Sequence, residues 1–151
     1  MSKDEDEKRD RQMMELLNEL RVALPGVQFL FAFLLTAPFA QGFQRTTDVQ
    51  RTMYYLALLA TVAATICLLA PSATHRLRFH KSDRTFIIES ANKYLIGGLV
   101  FIGIAIVLAV ATITDYLYDH WIVYVAPAAI GLVLAVVWFA RPLLRSESSG
   151  P

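Results

Sequence analysis

The chain has 151 residues, enough for one ordinary domain, and a formal net charge of +1. Hydrophobic residues make up 56% and charged residues 18% of the chain, whereas soluble domains average about 45–50% and about 25%. A near-neutral chain lacks the concentrated basic surface that phosphate binding requires, so we expect no nucleic-acid partner. The composition favours a membrane protein.

The N-terminal segment is highly charged and then becomes amphipathic. Residues 1–10 are almost entirely charged, which predicts a disordered, solvated tail. Residues 11–24 place apolar side chains on one helical face, which predicts a short amphipathic helix on the cytoplasmic side. Because Pro25 lacks a backbone donor and Gly26 relaxes the chain, we expect this helix to kink or break there. The apolar face consists of Met13, Leu16, Leu17, Leu20 and Leu24.

Four later stretches contain no Asp, Glu, Lys or Arg. A helix rises about 1.5 Å per residue, so about 20 apolar residues cross a hydrocarbon core of about 30 Å. Each stretch suffices for one crossing, and a helix pairs the backbone amides that lipid cannot solvate. The uncharged stretches are 22–44, 52–75, 94–114 and 120–140. We place the four spans at about 26–43, 53–70, 94–114 and 121–140.

The predicted fold is an all-α, polytopic membrane protein with four transmembrane helices in an antiparallel bundle. The transmembrane domain covers residues 25–142 and is followed by a polar tail at 143–151. Transmembrane helices approach each other closely at small residues, and these recur through the later spans. The same residues could equally serve a homodimer. The small residues are Ala57, Thr61, Thr65, Ala60 and Ala64 in span two, Gly97, Gly98, Ala105 and Ala109 in span three, and Pro127, Gly131 and Ala135 in span four.

Basic residues are distributed unequally between the two sides of the predicted spans. Twelve Lys and Arg fall on one side, and only Arg45 and Arg51 fall on the other. By the positive-inside rule, both termini are cytoplasmic and the protein lies in the cell (inner or plasma) membrane. Aromatic residues near the outer boundary are expected to be interfacial anchors. They are Phe43, Tyr54, Tyr55, Tyr116, Tyr118, Trp121 and Tyr124.

Gln28 is the deepest strongly polar side chain, and no carboxylate, lysine or arginine lies within the predicted spans. A polar group beside the Pro25-Gly26 break is typical of transporters that bind ions with freed carbonyls. Alternatively, Gln28 hydrogen-bonds a neighbouring helix at a simple kink.

Charged residues at the membrane edges provide two further candidate sites. Glu15, Glu19 and Arg21 could form an ion-pair network with Arg76 or Arg78, or could be a solvated face. The cluster of Asp115, Asp119 and His120 could hold a divalent cation, or could be an ordinary polar turn.

The sequence contains none of the common hydrolase, metalloprotease, nucleotide-binding or thiol-redox motifs. We therefore expect no enzymatic activity, no cofactor and no metal. The leading hypothesis is a non-enzymatic structural or accessory membrane subunit, whose partners are the lipid bilayer and either a homo-oligomer or other membrane proteins. The alternative is an oligomeric small ion or proton transporter, and only this alternative implies bound ions.

Residues 15–36, ELLNELRVALPGVQFLFAFLLT, resemble an uncharacterised family of small bacterial four-span membrane proteins. The similarity extends through APSATHRL at 70–77 and Ala91-Asn92, and covers about residues 13–145. Some members of that family carry an automatic label of sodium:proton antiporter. The resemblance implies a four-span fold, and it supplies no catalytic or cofactor residue.

Overall fold

The computed structural model describes residues 3–77, 84–118 and 120–140. The described residues form four α-helices and no strand, as predicted for an all-α protein. The α-helices are α1 (Lys3–Thr36), α2 (Asp48–Leu77), α3 (Arg84–Leu117) and α4 (Ile122–Ala135). Two short 3-10 helices, Ala37–Phe39 and Gln41–Arg45, connect α1 to α2, and α4 continues as a π-helical turn at Val136–Ala140.

Three of these helices are long and apolar enough to cross a membrane, judged by length and composition. The candidate spans are Asn18–Phe39, Asp48–Ala73 and Ala91–Leu117. A fourth apolar helix, Ile122–Trp138, is shorter, and rises about 25 Å. The apolar stretches found in the sequence therefore form apolar helices, three of which reach full membrane-spanning length.

Helix α1 is continuous from Lys3 to Thr36, so the prediction of a disordered tail at residues 1–10 is wrong for residues 3–10. Residues 3–10 form the first turns of this helix. Of the kink or break expected at Pro25-Gly26, the break does not occur.

Packing on both sides of Pro25 explains why α1 continues. Leu20 and Val27 are buried in one cluster with Ala64 and Leu68 of α2. Because α1 is fixed to α2 both before and after Pro25, the loss of a single backbone hydrogen bond does not end the helix. Pro71 is likewise inside a helix rather than at the start of the predicted loop, and it is buried.

The pair α2 and α3 forms the centre of the molecule. Buried residues of α2 recur at alternating intervals of four and three, which is the seven-residue repeat of closely packed helices. On α3, Ala91, Gly98 and Ala105 are buried at intervals of seven. Gln50 contacts Asp115, and Leu68 lies against Gly98. The buried residues of α2 that follow the repeat are Gln50, Tyr54, Ala57, Thr61, Ala64, Leu68 and Pro71.

The outer helices pack unequally on this pair. Helix α1 packs against α2 and, less extensively, against α3. Helix α4 packs against α3, and within the described residues it contacts neither α1 nor α2. The arrangement is therefore more open than a closed four-helix bundle, and much of α1 and α4 is exposed.

The first predicted span was too long at its C-terminal end. We placed it at 26–43, but α1 ends at Thr36. Pro38 explains the end of the helix, because proline has no N–H to donate to the carbonyl of Leu34. The chain then turns through the two 3-10 helices and folds back against α2.

Candidate functional site

The most elaborate polar arrangement lies where α2 begins and α3 ends. The Thr47 hydroxyl accepts a hydrogen bond from the Gln50 backbone N–H at 3.2 Å, and the Gln50 side-chain oxygen accepts one from the Thr47 N–H at 3.0 Å. This reciprocal pair is a capping box, and it provides partners for amides that the first turn of a helix leaves unpaired. It fixes both the start of α2 and the orientation of the Gln50 side chain.

Gln50 also connects α2 to α3. Its side-chain nitrogen donates a hydrogen bond of 2.9 Å to the Asp115 carboxylate, 65 residues further along the chain. Gln50 is only 6% exposed, and Asp115 is half-buried. A hydrogen bond to a charged acceptor is stronger than one between neutral groups, and burial increases the cost of losing it. We refer to Thr47, Gln50 and Asp115 as the capping cluster.

A second polar contact joins α1 to α2. The buried Tyr54 hydroxyl donates a hydrogen bond to the backbone carbonyl of Leu34. The usual donor to that carbonyl would be the N–H of residue 38, which is a proline. Tyr54 therefore replaces the backbone donor that Pro38 lacks. The prediction that Tyr54 is an interfacial anchor is wrong, because its ring is buried and its hydroxyl has an internal partner.

The connection after α1 packs on the same tyrosine. The Phe43 ring meets the Tyr54 ring edge to face, with centroids 5.1 Å apart. Leu34, Tyr54 and Ala57 form a buried cluster against which Phe43 packs. The early end of α1 thus positions the two 3-10 helices, which we call the 3-10 segment (residues 37–45), over the start of α2.

We expect Tyr54→Phe to destabilise the protein by about 1–3 kcal/mol, because it leaves the Leu34 carbonyl buried and unpaired while keeping the ring contacts. Thermal unfolding in mild detergent would measure the change. Pro38→Ala restores a backbone N–H at the natural position, so the double variant should lose less stability than Tyr54→Phe alone. Equal losses in the single and double variants would contradict the assigned role of Tyr54.

An apolar cleft of about 440 Å³ opens beside this contact. It lies among the end of α1, the 3-10 segment, the start of α2 and the end of α3, and its lining is almost entirely hydrocarbon. At its edge Gly42 approaches the Tyr116 hydroxyl so closely that an added Cβ would lie 3.1 Å from the oxygen. The cleft can accommodate an apolar group, and it offers no set of ligands for an ion.

The residues singled out in α1 lie on its surface. Glu15, Glu19 and Arg21 are exposed, and none of them forms an ion pair with another described residue. The predicted partner Arg78 lies outside the described residues, and so does the side chain of Arg76. Pro25, Gly26 and Gln28 are also exposed, and nothing lies within 4 Å of the position that a Gly26 Cβ would take.

Of the two described members of the candidate cation cluster, one makes an internal hydrogen bond. Asp115 binds Gln50, His120 is exposed, and Asp119 lies outside the described residues. In the part of the chain that the structure describes, no group of three or more His, Cys, Asp or Glu is placed to hold a metal ion.

A family model described as a family of unknown function (DUF6328) matches residues 2–142. The chain belongs to this family. The match includes all four helices of the DUF6328 member described above, and it confirms the predicted resemblance to an uncharacterised family. No curated protein and no solved structure matches the chain.

Sequence reasoning missed Gln50, the residue that links the capping cluster of this DUF6328 member. The signal was present, because Thr47-Asp48-Val49-Gln50 has the Thr-x-x-Gln pattern of a capping box. The second span was placed from residue 53 on the basis of its uncharged stretch, so Gln50 fell outside it. The partnership with Asp115 had no sequence signal.

Proposed function

We propose that this chain is a four-span protein of the cell membrane that acts as a non-enzymatic structural or accessory subunit, with both termini in the cytoplasm. The observation that carries the proposal concerns its buried polar groups. Among the described residues, every buried side-chain nitrogen or oxygen has a hydrogen-bond partner within the chain. A catalytic or transport site needs polar groups that are available to a substrate, and here those groups are used for packing.

The threonines inside the helices illustrate this use. The buried Thr61 hydroxyl donates to the carbonyl of Ala57 at 2.6 Å, and Thr114 donates to Val110 at 2.7 Å. Thr65 and Thr112 make the same bond to the residue four positions earlier. Such bonds satisfy hydroxyl groups in an apolar environment without any partner from outside the helix.

The contacts between α2 and α3 support an antiparallel arrangement of spans. The start of α2 meets the end of α3 at the capping cluster. In turn, Leu68 in the second half of α2 lies against Gly98 in the first half of α3. The twelve-to-two distribution of basic residues supports cytoplasmic termini. Helix α4 and the π-helical turn that follows it together serve as the fourth span, because the turn lengthens the helix toward the membrane edge.

The transporter alternative receives less support from the geometry. It requires Gln28 and a broken helix at Pro25-Gly26 to line a path, but α1 is continuous there and these residues are exposed on its outer surface. The cleft among α1, α2 and α3 is apolar. Neither feature provides the carbonyls or carboxylates that coordinate a cation.

We expect liposomes containing the purified protein to show no flux of protons or sodium under imposed gradients. Flux would be followed with pH-sensitive and sodium-sensitive dyes, and an added ionophore would verify that the vesicles are sealed and responsive. The variants Gln28→Ala, Glu19→Ala and Arg21→Ala should give the same flat trace while altering assembly or abundance. A flux that Gln28→Ala abolishes would establish the transporter instead.

The proposed topology predicts opposite labelling of two positions. In a Cys67→Ala background, Arg11→Cys and Gln44→Cys should react with a membrane-impermeant thiol reagent from opposite sides of the membrane. Intact cells should label position 44, and inverted vesicles should label position 11. Labelling of both positions from one side would contradict the topology.

A further inference from the structure

Helix α1 has a second regular face that the described part of the chain leaves uncovered. Its buried face consists of Leu20, Val27 and Leu34, seven residues apart. On another side of the helix, exposed residues recur at alternating intervals of four and three, which is the repeat by which helices pack in pairs. We call these residues the α1 seam: Met14, Asn18, Arg21, Pro25, Gln28, Ala32 and Leu35.

Two amide side chains lie on the α1 seam. Gln28 stands near the middle of the candidate span Asn18–Phe39, and Asn18 stands at its start. Both are exposed, and no described residue hydrogen-bonds either side chain. At the depth of Gln28 the surroundings are hydrocarbon, so an unpaired amide is costly there, and it favours helix association that supplies a partner.

From these observations we infer that the α1 seam binds the α1 seam of a second copy of this chain. An amide both donates and accepts a hydrogen bond, so it is complementary to another amide. Two copies with the same topology are related by a two-fold axis normal to the membrane, which places Gln28 opposite its own equivalent at the same depth. A second copy therefore supplies the required partner, whereas an acyl chain cannot.

The remaining seam residues are compatible with this contact. Pro25 and Ala32 lie on either side of Gln28 and carry short side chains, which permit the two helices to approach. Arg21 lies near the start of the candidate span, and its long side chain can extend its guanidinium to the aqueous boundary rather than face its equivalent. The large exposed rings of Phe29 and Phe33 flank the seam and would lie toward lipid.

The inference rests on the proposed membrane topology and identifies the partner of one helix face. Cysteine cross-linking in native membranes tests it directly. In a Cys67→Ala background, Ala32→Cys should give a disulfide-linked dimer on mild oxidation. Phe33→Cys is the matched control, because it is adjacent, equally deep and 73% exposed, but off the seam. We expect at least a five-fold higher dimer yield at position 32, and equal yields would overturn the inference.

The contribution of the amide is tested by Gln28→Met, which keeps the side-chain length and removes the hydrogen bond. Energy transfer between labelled copies in liposomes should show the dimer dissociation constant rising by about 3- to 30-fold. Phe33→Leu, off the seam, should leave it unchanged. A wild-type monomer, or an unchanged constant in Gln28→Met, would overturn the inference. A proton or sodium flux would instead refute the accessory role and leave the dimer result standing.

Discussion

Introducing a side chain at Gly98 should disrupt the contact between α2 and α3 more than any other single small change. A Cβ at this position would lie 2.7 Å from Leu68 Cδ2, 2.9 Å from Leu68 Cγ and 3.6 Å from the Ala64 carbonyl oxygen. The Leu68 side chain is completely buried, so it has no open space into which to turn. We expect Gly98→Ala to cost about 1–3 kcal/mol, and Gly98→Leu to prevent the two helices from packing.

Unfolding of the detergent-purified variants by heat or by a denaturing detergent would measure this effect. Gly26→Ala is the matched control, because nothing lies within 4 Å of its added Cβ. Since alanine is a better helix former than glycine, we expect that control to be neutral or stabilising by up to about 1 kcal/mol. If Gly98→Ala proved as harmless as Gly26→Ala, the close approach of α2 and α3 would be wrong.

The partner of the clash can be tested separately. Leu68→Ala alone should destabilise the protein, because it leaves a cavity in the buried contact. Combined with Gly98→Ala it should cost less than the sum of the two single changes, since the smaller side chain at 68 provides room for the new Cβ. Such non-additivity is the expected result for residues in direct contact.

After Gly98→Leu, replacing Gln50 with leucine should have the largest effect, a loss of about 2–4 kcal/mol. The change removes the acceptor of the Thr47 backbone N–H and the donor to Asp115. The first loss weakens the start of α2, and the second leaves a half-buried carboxylate without its protein partner. Helical content and thermal unfolding in mild detergent would report the two losses together.

Two milder substitutions test this explanation. Asp115→Asn retains an oxygen that can accept from Gln50, so it should cost much less than Gln50→Leu. Asp48→Asn alters the exposed ion pair with Arg51, whose atoms are 3.8 Å apart, and such pairs contribute little. A loss in Asp48→Asn as large as that in Gln50→Leu would indicate that charge at this end, rather than the capping cluster, sets stability.

The sequence was informative about the small residues that join α2 and α3. Ala57, Thr61 and Ala64 were expected at a helix contact, and all three are buried. Gly98 and Ala105 were expected on the facing helix, and they are buried as well. This succeeds because small side chains in an apolar helix serve mainly one purpose, which is to let another helix approach.

The polar contacts were not predictable because they depend on how helices are aligned. Gln50 and Asp115 meet only when α2 and α3 adopt one particular register, and a single sequence does not specify that register. Tyr54 resembled a boundary anchor because most aromatic residues near a membrane edge are anchors. Tyr54 is buried because α1 ends before Pro38, and the segment that follows folds back over the tyrosine ring.

The prolines inside helices show how packing overrides a local rule. Pro25 and Pro71 each remove one backbone donor. A kink or break was expected at Pro25, and the second span was expected to end just before Pro71. Around Pro25, buried neighbours on α1 hold the backbone on both sides, and Pro71 is itself buried three residues after the buried Leu68. Pro38 does end its helix, and there the chain gains a replacement donor and a new ring contact. The outcome depends on the tertiary surroundings of each proline.

The separate placement of α4 implies two levels of stability in this molecule. In the described part of the chain α4 packs on α3 alone. Its detachment therefore leaves intact the capping cluster, the Gly98 contact and the two buried clusters in which α1 packs on α2, around Leu20 and around Leu34. Partial opening of this kind costs less than global unfolding. Amide hydrogens of α4 should therefore exchange with solvent deuterium in a distinct, earlier phase, while those of α2 and α3 remain protected until the whole protein opens.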